Sequence, residues 1–178
     1  MDKSVKKALL IVDVQNDFVT GSLGSEYAKD VVVPNIKNLI SGFSRGDRFA
    51  TLDTHDNDKY LETQEGKKLP VKHCIEDTEG HNIVKELNRY ILNDSHHRII
   101  KRTFGAKSME LYNDFLRYDE IHICGLCTDI CVVSNALILK ALFPEKRIII
   151  HENCCGGTSN VAHMAALTVM KSCQIDIE

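Results

Sequence analysis

The chain has 178 residues, 43% hydrophobic and 26% charged, which is enough for one globular domain with a sizeable core and too little for two large ones. A formal charge of -3, without any block of five or more like charges, leaves no electrostatic footprint for nucleic acid or for an anionic membrane surface. Nothing approaches eighteen consecutive apolar residues, and Met1-Asp2-Lys3-Ser4 leads into Lys6 and Lys7 without a signal-peptide core, so a cytoplasmic protein is expected.

In chain order, Ala8-Leu9-Leu10-Ile11-Val12 reads as a buried strand. Pro34 suits the first turn of a helix whose Ile36, Leu39, Ile40 and Phe43 share one face, and Gly46 ends it. A second strand, Phe49-Ala50-Thr51-Leu52, is followed by a helical period at Ile83, Val84, Leu87 and Ile91. The third strand, Arg98-Ile99-Ile100, precedes a helix carrying Leu111 and Phe115. Ile121-His122-Ile123-Cys124 leads into a helix over 132–142. Ile148-Ile149-Ile150 is followed by a helix over 162–170 with Ser159 as its cap, and Ile175-Asp176-Ile177 closes the series as a sixth strand. Strict alternation with continuously apolar strands predicts an α/β fold. The expected form is a three-layer α/β/α sandwich on a six-stranded, mainly parallel Rossmann-like sheet, one domain over 1–178.

Open sheets of this kind bind ligands beyond the carboxyl ends of their strands. Those positions are chemically crowded here. Asp13, Gln15, Asn16 and Asp17 follow strand one, Asp53 and His55 strand two, Lys101 strand three, and Gly125 leads from strand four to Cys131. Asp53 and His55, one residue apart, can point into one loop cavity that His73 closes from the far side, a donor set suited to a divalent metal.

Seven cysteines at irregular spacing argue for reduced thiols rather than a disulfide framework. Cys124-Gly-Leu-Cys127 has CxxC redox spacing but lacks the usual flanking aromatic residues. A zinc knuckle from Cys124, Cys127, Cys154 and Cys155 is disfavoured, because adjacent cysteines rarely both reach one tetrahedral ion. His81, His96, His97, His122, His151 and His163 lack ligand spacing, Cys74 and Cys173 read as packing residues, and Gly156-Gly157-Thr158 reads as a bend.

The segments IVDVQNDF, TLDTHD, LPVKHC, IIKRTFG and GLCTDICV, in this order, resemble the isochorismatase-like cysteine hydrolases, the superfamily that includes nicotinamidase and pyrazinamidase. The resemblance implies a hydrolase of non-peptide C–N bonds that cleaves a small, nicotinamide-like carboxamide to the acid and ammonia through a thioester. It assigns Cys131 as nucleophile, Asp13 as acid/base and Lys101 as third member of a triad, with an oxyanion hole from the backbone N–H groups of Cys127 and Cys131. A cis peptide at Leu126-Cys127 is implied as well. The metal set would be Asp53, His55 and His73, completed by Glu65 as first choice or Glu62 as second, holding zinc first, with iron or manganese as alternatives. Relatives are often dimers or tetramers, so a homo-oligomer is expected.

Phe18, Leu23 and Phe104 follow the catalytic segments and would wall a small planar ligand. Where relatives place an aromatic residue before the last metal histidine, this chain has Leu69, Pro70 and Val71. An unperturbed thiol is only about 3% ionised at neutral pH, so the lysine and the helix N-terminus are expected to lower the Cys131 pKa by about two units. Three other readings stay open: hydrolysis of a ureido or carbamoyl amide, isochorismatase-type hydrolysis, and a catalytically inert binding module of the same fold.

Overall fold

Six apolar runs pair into one sheet. The computed structural model describes residues 5–178, with strands β1 (Lys7–Val12), β2 (Arg48–Asp53), β3 (Arg98–Lys101), β4 (Glu120–Leu126), β5 (Arg147–Gly156) and β6 (Asp176–Ile177). Every pairing is parallel, in the order β3-β2-β1-β4-β5-β6. Ala8 to Val12 of β1 are at most 1% exposed, because a parallel sheet is covered on both faces and its central strand meets no water. The chain order reverses between β1 and β4, so the loops leaving these two strands diverge and open a crevice at their carboxyl ends.

The helices are α1 (Asn16–Val19), α2 (Val33–Leu39), α3 (Gln64–Lys68), α4 (Lys85–Asn88), α5 (Ser108–Phe115), α6 (Val133–Leu142) and α7 (Asn160–Ser172). α2 packs with α4, while α5, α6 and α7 pack together, giving helical layers on either side of the sheet. Ser159 caps α7 as expected, its side chain accepting from the Ala162 N–H at 3.1 Å. No helix among the described residues is long and apolar enough to cross a membrane.

Two helices differ from expectation. The helix expected to begin at Pro34 begins earlier, with a π-helical turn over Ala28–Val32 running directly into α2. Proline has no N–H to return to a carbonyl four residues back, and a wider turn preceding it accommodates the missing bond. The expected helix through Ile83, Val84, Leu87 and Ile91 shrinks to the single turn α4. Backbone bonding explains this: Asn16 N–H donates to Asn82 O (2.9 Å) and Val84 N–H to Val14 O (3.1 Å), so residues 82–84 are spent on the loop after β1. All four apolar side chains are buried nonetheless, which satisfies their periodicity without a helix.

Gly125 sits on β4 beside Val12 with φ of +125°, and a Cβ there would lie 2.1 Å from the Val12 carbonyl oxygen. Gly125→Ala is expected to cost at least about 2 kcal/mol, since it adds backbone strain to a clash inside the sheet; urea unfolding measures it.

Candidate active site

β1, β2 and β3 end on one rim in fixed register, Val12 beside Thr51 and Asp53 beside Lys101. Lys101 Nζ reaches 2.7 Å from Asp13 Oδ2, 2.9 Å from Asp53 Oδ1 and 3.4 Å from Cys131 Sγ. All four residues are buried. Asp13, Lys101 and Cys131, which the sequence places on three separate segments, therefore meet around one ammonium group.

Each side chain is held by its own element. Asp13 turns sharply off β1 with φ of 50°, a conformation that side chains seldom adopt. Thr51 on β2 donates its hydroxyl to Asp13 Oδ1 at 2.7 Å. The other oxygen, Oδ2, is close to the ammonium, but among the described residues it receives no hydrogen bond of good direction, so its lone pair is open to a proton. Gln15, fully buried two residues on, clamps the Asp53 backbone from both sides: its Oε1 accepts from Asp53 N–H (2.8 Å) and its Nε2 donates to Asp53 O (2.9 Å).

Cys131 lies in a π-helical turn, Thr128–Val132, continuous with α6. The peptide entering that turn, Leu126-Cys127, is cis. Cys127 is the N-cap residue, and its carbonyl takes the first bonds of the turn from the N–H groups of Ile130 and Val132, both at 3.1 Å. One turn after Cys131, buried Asn135 donates to the Cys131 carbonyl (2.7 Å) and accepts from the Ala106 N–H (2.9 Å), tying the thiol's helix to the loop after β3.

Burial governs the electrostatics. It pushes the Asp13 carboxyl above the ordinary carboxylate range, an effect opposed by the charge of Lys101 and reinforced by Asp53. Burial acts on Asp53 in the same sense, yet hydrogen bonds from His55 and His73 and the Lys101 charge hold it well below that range. Lys101 is raised despite burial, because Asp13, Cys131 and Asp53 surround it. The expected depression of the Cys131 pKa is corrected: burial and the neighbouring Asp13 charge raise it well above the ordinary thiol value, outweighing Lys101. Loss of water is the larger cause, and the Asp13 charge exceeds the opposing effect of Lys101, with Asp53 adding to it.

Asp53 also faces the other way. Its Oδ2 lies 2.8 Å from His55 Nε2 and 3.5 Å from His73 Nε2, and Glu65 Oε1 on α3 lies 3.8 Å and 3.5 Å from the same two nitrogens. Donors about 2.1 Å from a common ion stand about 3.0 to 3.4 Å apart at octahedral or tetrahedral angles, and the four donor atoms here all lie within 4.8 Å of one another, a group that could close on one divalent cation. His73 Nδ1 donates to the Val71 carbonyl at 2.8 Å, which directs the lone pair of its Nε2 into the quartet. Burial disfavours charge on His73, but hydrogen bonds to Asp53 and Glu65 raise its pKa to about 10. The same field that holds a proton there favours a metal ion in its place. Glu65, not Glu62, supplies the fourth donor, and this is the one group of three or more such donors among the described residues. Cys124, Cys127, Cys154 and Cys155 form no such group.

Cys131 from the triad and Asp53, Glu65 and His73 from the quartet line one cavity of about 370 Å³, near the small end of ligand pockets. Phe18, Leu23 and Phe104 line it, joined by Leu69, Leu126, Ile130 and Thr158. Of the CxxC pair, Cys127 lines the cavity, whereas Cys124 is buried in β4.

The Isochorismatase domain model matches residues 7–177. The chain belongs to the isochorismatase family. A nicotinamidase of Schizosaccharomyces pombe is 26% identical, with 98% of this chain and 93% of the relative covered. The crystal structure of a Bacillus subtilis nicotinamidase is 27% identical and superposes with a TM-score of 0.77 over 97% of this chain and 99% of that one. A pyrazinamidase of Pyrococcus horikoshii, in complex with zinc, shares the fold at 23% identity, with a TM-score of 0.73 and 97% and 98% of the two chains covered.

Within this isochorismatase-family site, Thr51, Gln15 and Asn135 went unassigned in the sequence. Their signals were present: a lone polar residue in an apolar strand, an amide two residues past Asp13, and an amide four past Cys131 on the same helical face. Replacing Lys101 with Met leaves two buried carboxylates without their cation. The variant is expected to lose about 3–5 kcal/mol at neutral pH. The deficit should shrink on acidification, because protonating Asp13, already raised, removes the uncompensated charge. Urea unfolding across pH measures both effects.

Proposed function

We propose that this protein, a hydrolase acting on amide C–N bonds, cleaves a small neutral carboxamide of the nicotinamide kind to its acid and ammonia through a thioester on Cys131. The observation that carries this reading is the single ammonium, Lys101 Nζ, within 2.7 Å of the Asp13 carboxylate and 3.4 Å of Cys131 Sγ beside a cavity of small-ligand size.

Cys131 Sγ attacks the carbonyl carbon while its proton passes to Asp13 Oδ2, the oxygen left open by the Thr51 bond. Because the thiol starts protonated, nucleophile and base are made in one step, and no buried thiolate is maintained at rest. The developing oxyanion meets the N–H groups of Cys127 and Cys131. Asp13 then gives its proton to the departing nitrogen and ammonia leaves. Water enters, loses a proton to Asp13 and attacks the thioester. Breaking the C–S bond releases the acid, and Asp13 returns the proton to sulfur. Lys101 stays charged throughout and holds Asp13 in place. Asp53, His55, Glu65 and His73 would hold the divalent cation, zinc first, whose charge would help orient the substrate.

Neutral substrates are favoured by the lining. Its acidic groups are Asp53 and Glu65, and Lys101, the cation beside it, is already matched by Asp13 and Asp53. Among the described residues no lysine or arginine lines the cavity to pair with an anionic ureido acid or an isochorismate-like dicarboxylate. We further place the protein in the cytoplasm, a reading supported by seven free thiols.

Cys131→Ala should abolish ammonia release from nicotinamide, and Asp13→Asn should lower kcat about 100- to 10,000-fold. Retained activity in Cys131→Ala would leave the binding-module reading in its place. Since the base must be ionised and Asp13 is raised by burial, kcat/KM should fall on acidification with a midpoint above the usual carboxylate value of about 4. Chelation is expected to raise KM more than it lowers kcat, with recovery on adding zinc, as steady-state assays on stripped and reconstituted protein would show.

A further inference from the structure

Asp17, the last acidic residue of the IVDVQNDF segment, touches neither the triad nor the quartet. Its carboxylate nonetheless crosses to the loop that carries His73. Asp17 Oδ2 accepts from the Cys74 N–H at 2.7 Å, and Oδ1 from the Ser22 N–H at 3.3 Å. Its backbone is bound at both ends too, N–H to Gly80 O (3.0 Å) and O from the Leu23 N–H (2.9 Å).

Two features mark the carboxylate's seat as built for it. A Cβ at Gly21 would lie 2.3 Å from Asp17 Oδ1, and one at Gly80 would lie 2.1 Å from Oδ2, so glycines on two different loops leave the space it fills. Cys74 has φ of 46°, a conformation that side chains seldom adopt, and its N–H is the group Asp17 holds. That residue sits between two ligands' supports: His73 precedes it, and its carbonyl accepts from the His55 N–H at 3.0 Å. A bridge between His55 and Ile75 completes the connection.

We propose that Asp17 is a positioning residue for the metal site and its adjoining wall, fixing the backbone at Cys74 so that His73 and His55 converge, and fixing Leu23 at the cavity edge. The inference rests on the reading that Asp53, His55, Glu65 and His73 hold a divalent cation. In Asp17→Asn the side-chain amide must turn its NH2 toward one of two backbone N–H groups, so one bond becomes a repulsion while size is preserved.

The test uses the full chain, stripped and titrated with zinc(II) and cobalt(II) against a chromophoric chelator. Outer-shell supports of this kind govern affinity by about 10- to 100-fold, and Asp17→Asn should weaken both metals by that factor and alter the visible cobalt spectrum. Gly80→Ala, which crowds the carboxylate without removing it, should shift affinity in the same direction, and it replaces Asp17→Asn should that variant not fold. A lower thermal midpoint of the metal-free variant with unchanged affinity and spectrum would make Asp17 a structural residue only and overturn the proposal. Wild-type protein that takes up no metal would instead overturn the quartet reading and this inference with it.

Discussion

A single ammonium group between two carboxylates organises this rim. Neither charge type belongs in a sheet whose central strand meets no water, and desolvating them is costly unless each is matched. Lys101 matches both Asp13 and Asp53, and each lies at the end of a strand in fixed register, so the ion cluster and the sheet support each other. Asp53 carries the arrangement further. One of its oxygens faces the ammonium and the other faces His55 and His73, so a single side chain belongs to the triad's neighbourhood and to the cation quartet at once.

Much of this was legible before any coordinates. Strand positions followed from apolar runs, and the rim followed from asking what comes after each run. The acid that joins Asp53, His55 and His73 could be ranked but not decided, because a short helix and a 3-10 turn over Tyr60–Glu62 separate the two candidates in ways that spacing does not encode. The helix expected around Leu87 failed for a different reason. Periodicity reports which side chains want burial, and the backbone of residues 82–84 was claimed by the loop after β1, a partner far away in sequence.

The thiol's pKa depends on partners that are likewise distant in sequence. One lysine and a helix N-terminus argue for a thiolate, and both are present. What the sequence does not reveal is that two carboxylates share that lysine and that water is excluded from all of them. The result is a thiol and a carboxyl that burial raises together beside one ammonium. Thr51 occupies one oxygen of Asp13, and the other faces the ammonium of Lys101.

The place of Lys101 on β3 has one more consequence. β3 is a four-residue strand at the sheet's margin, and along it Ile99 and Lys101 point inward while Ile100 is half exposed. By hydrophobicity alone the strand has no preference, because sliding one residue would exchange Ile99 for Ile100 and Lys101 for a neighbouring arginine on the inward face while releasing the ammonium to solvent. Asp13 and Asp53 forbid that slide, since it would strand both of them. The buried charges of the rim thus act as an alignment key, telling a marginal strand which way up to lie, and become part of the instruction for folding it.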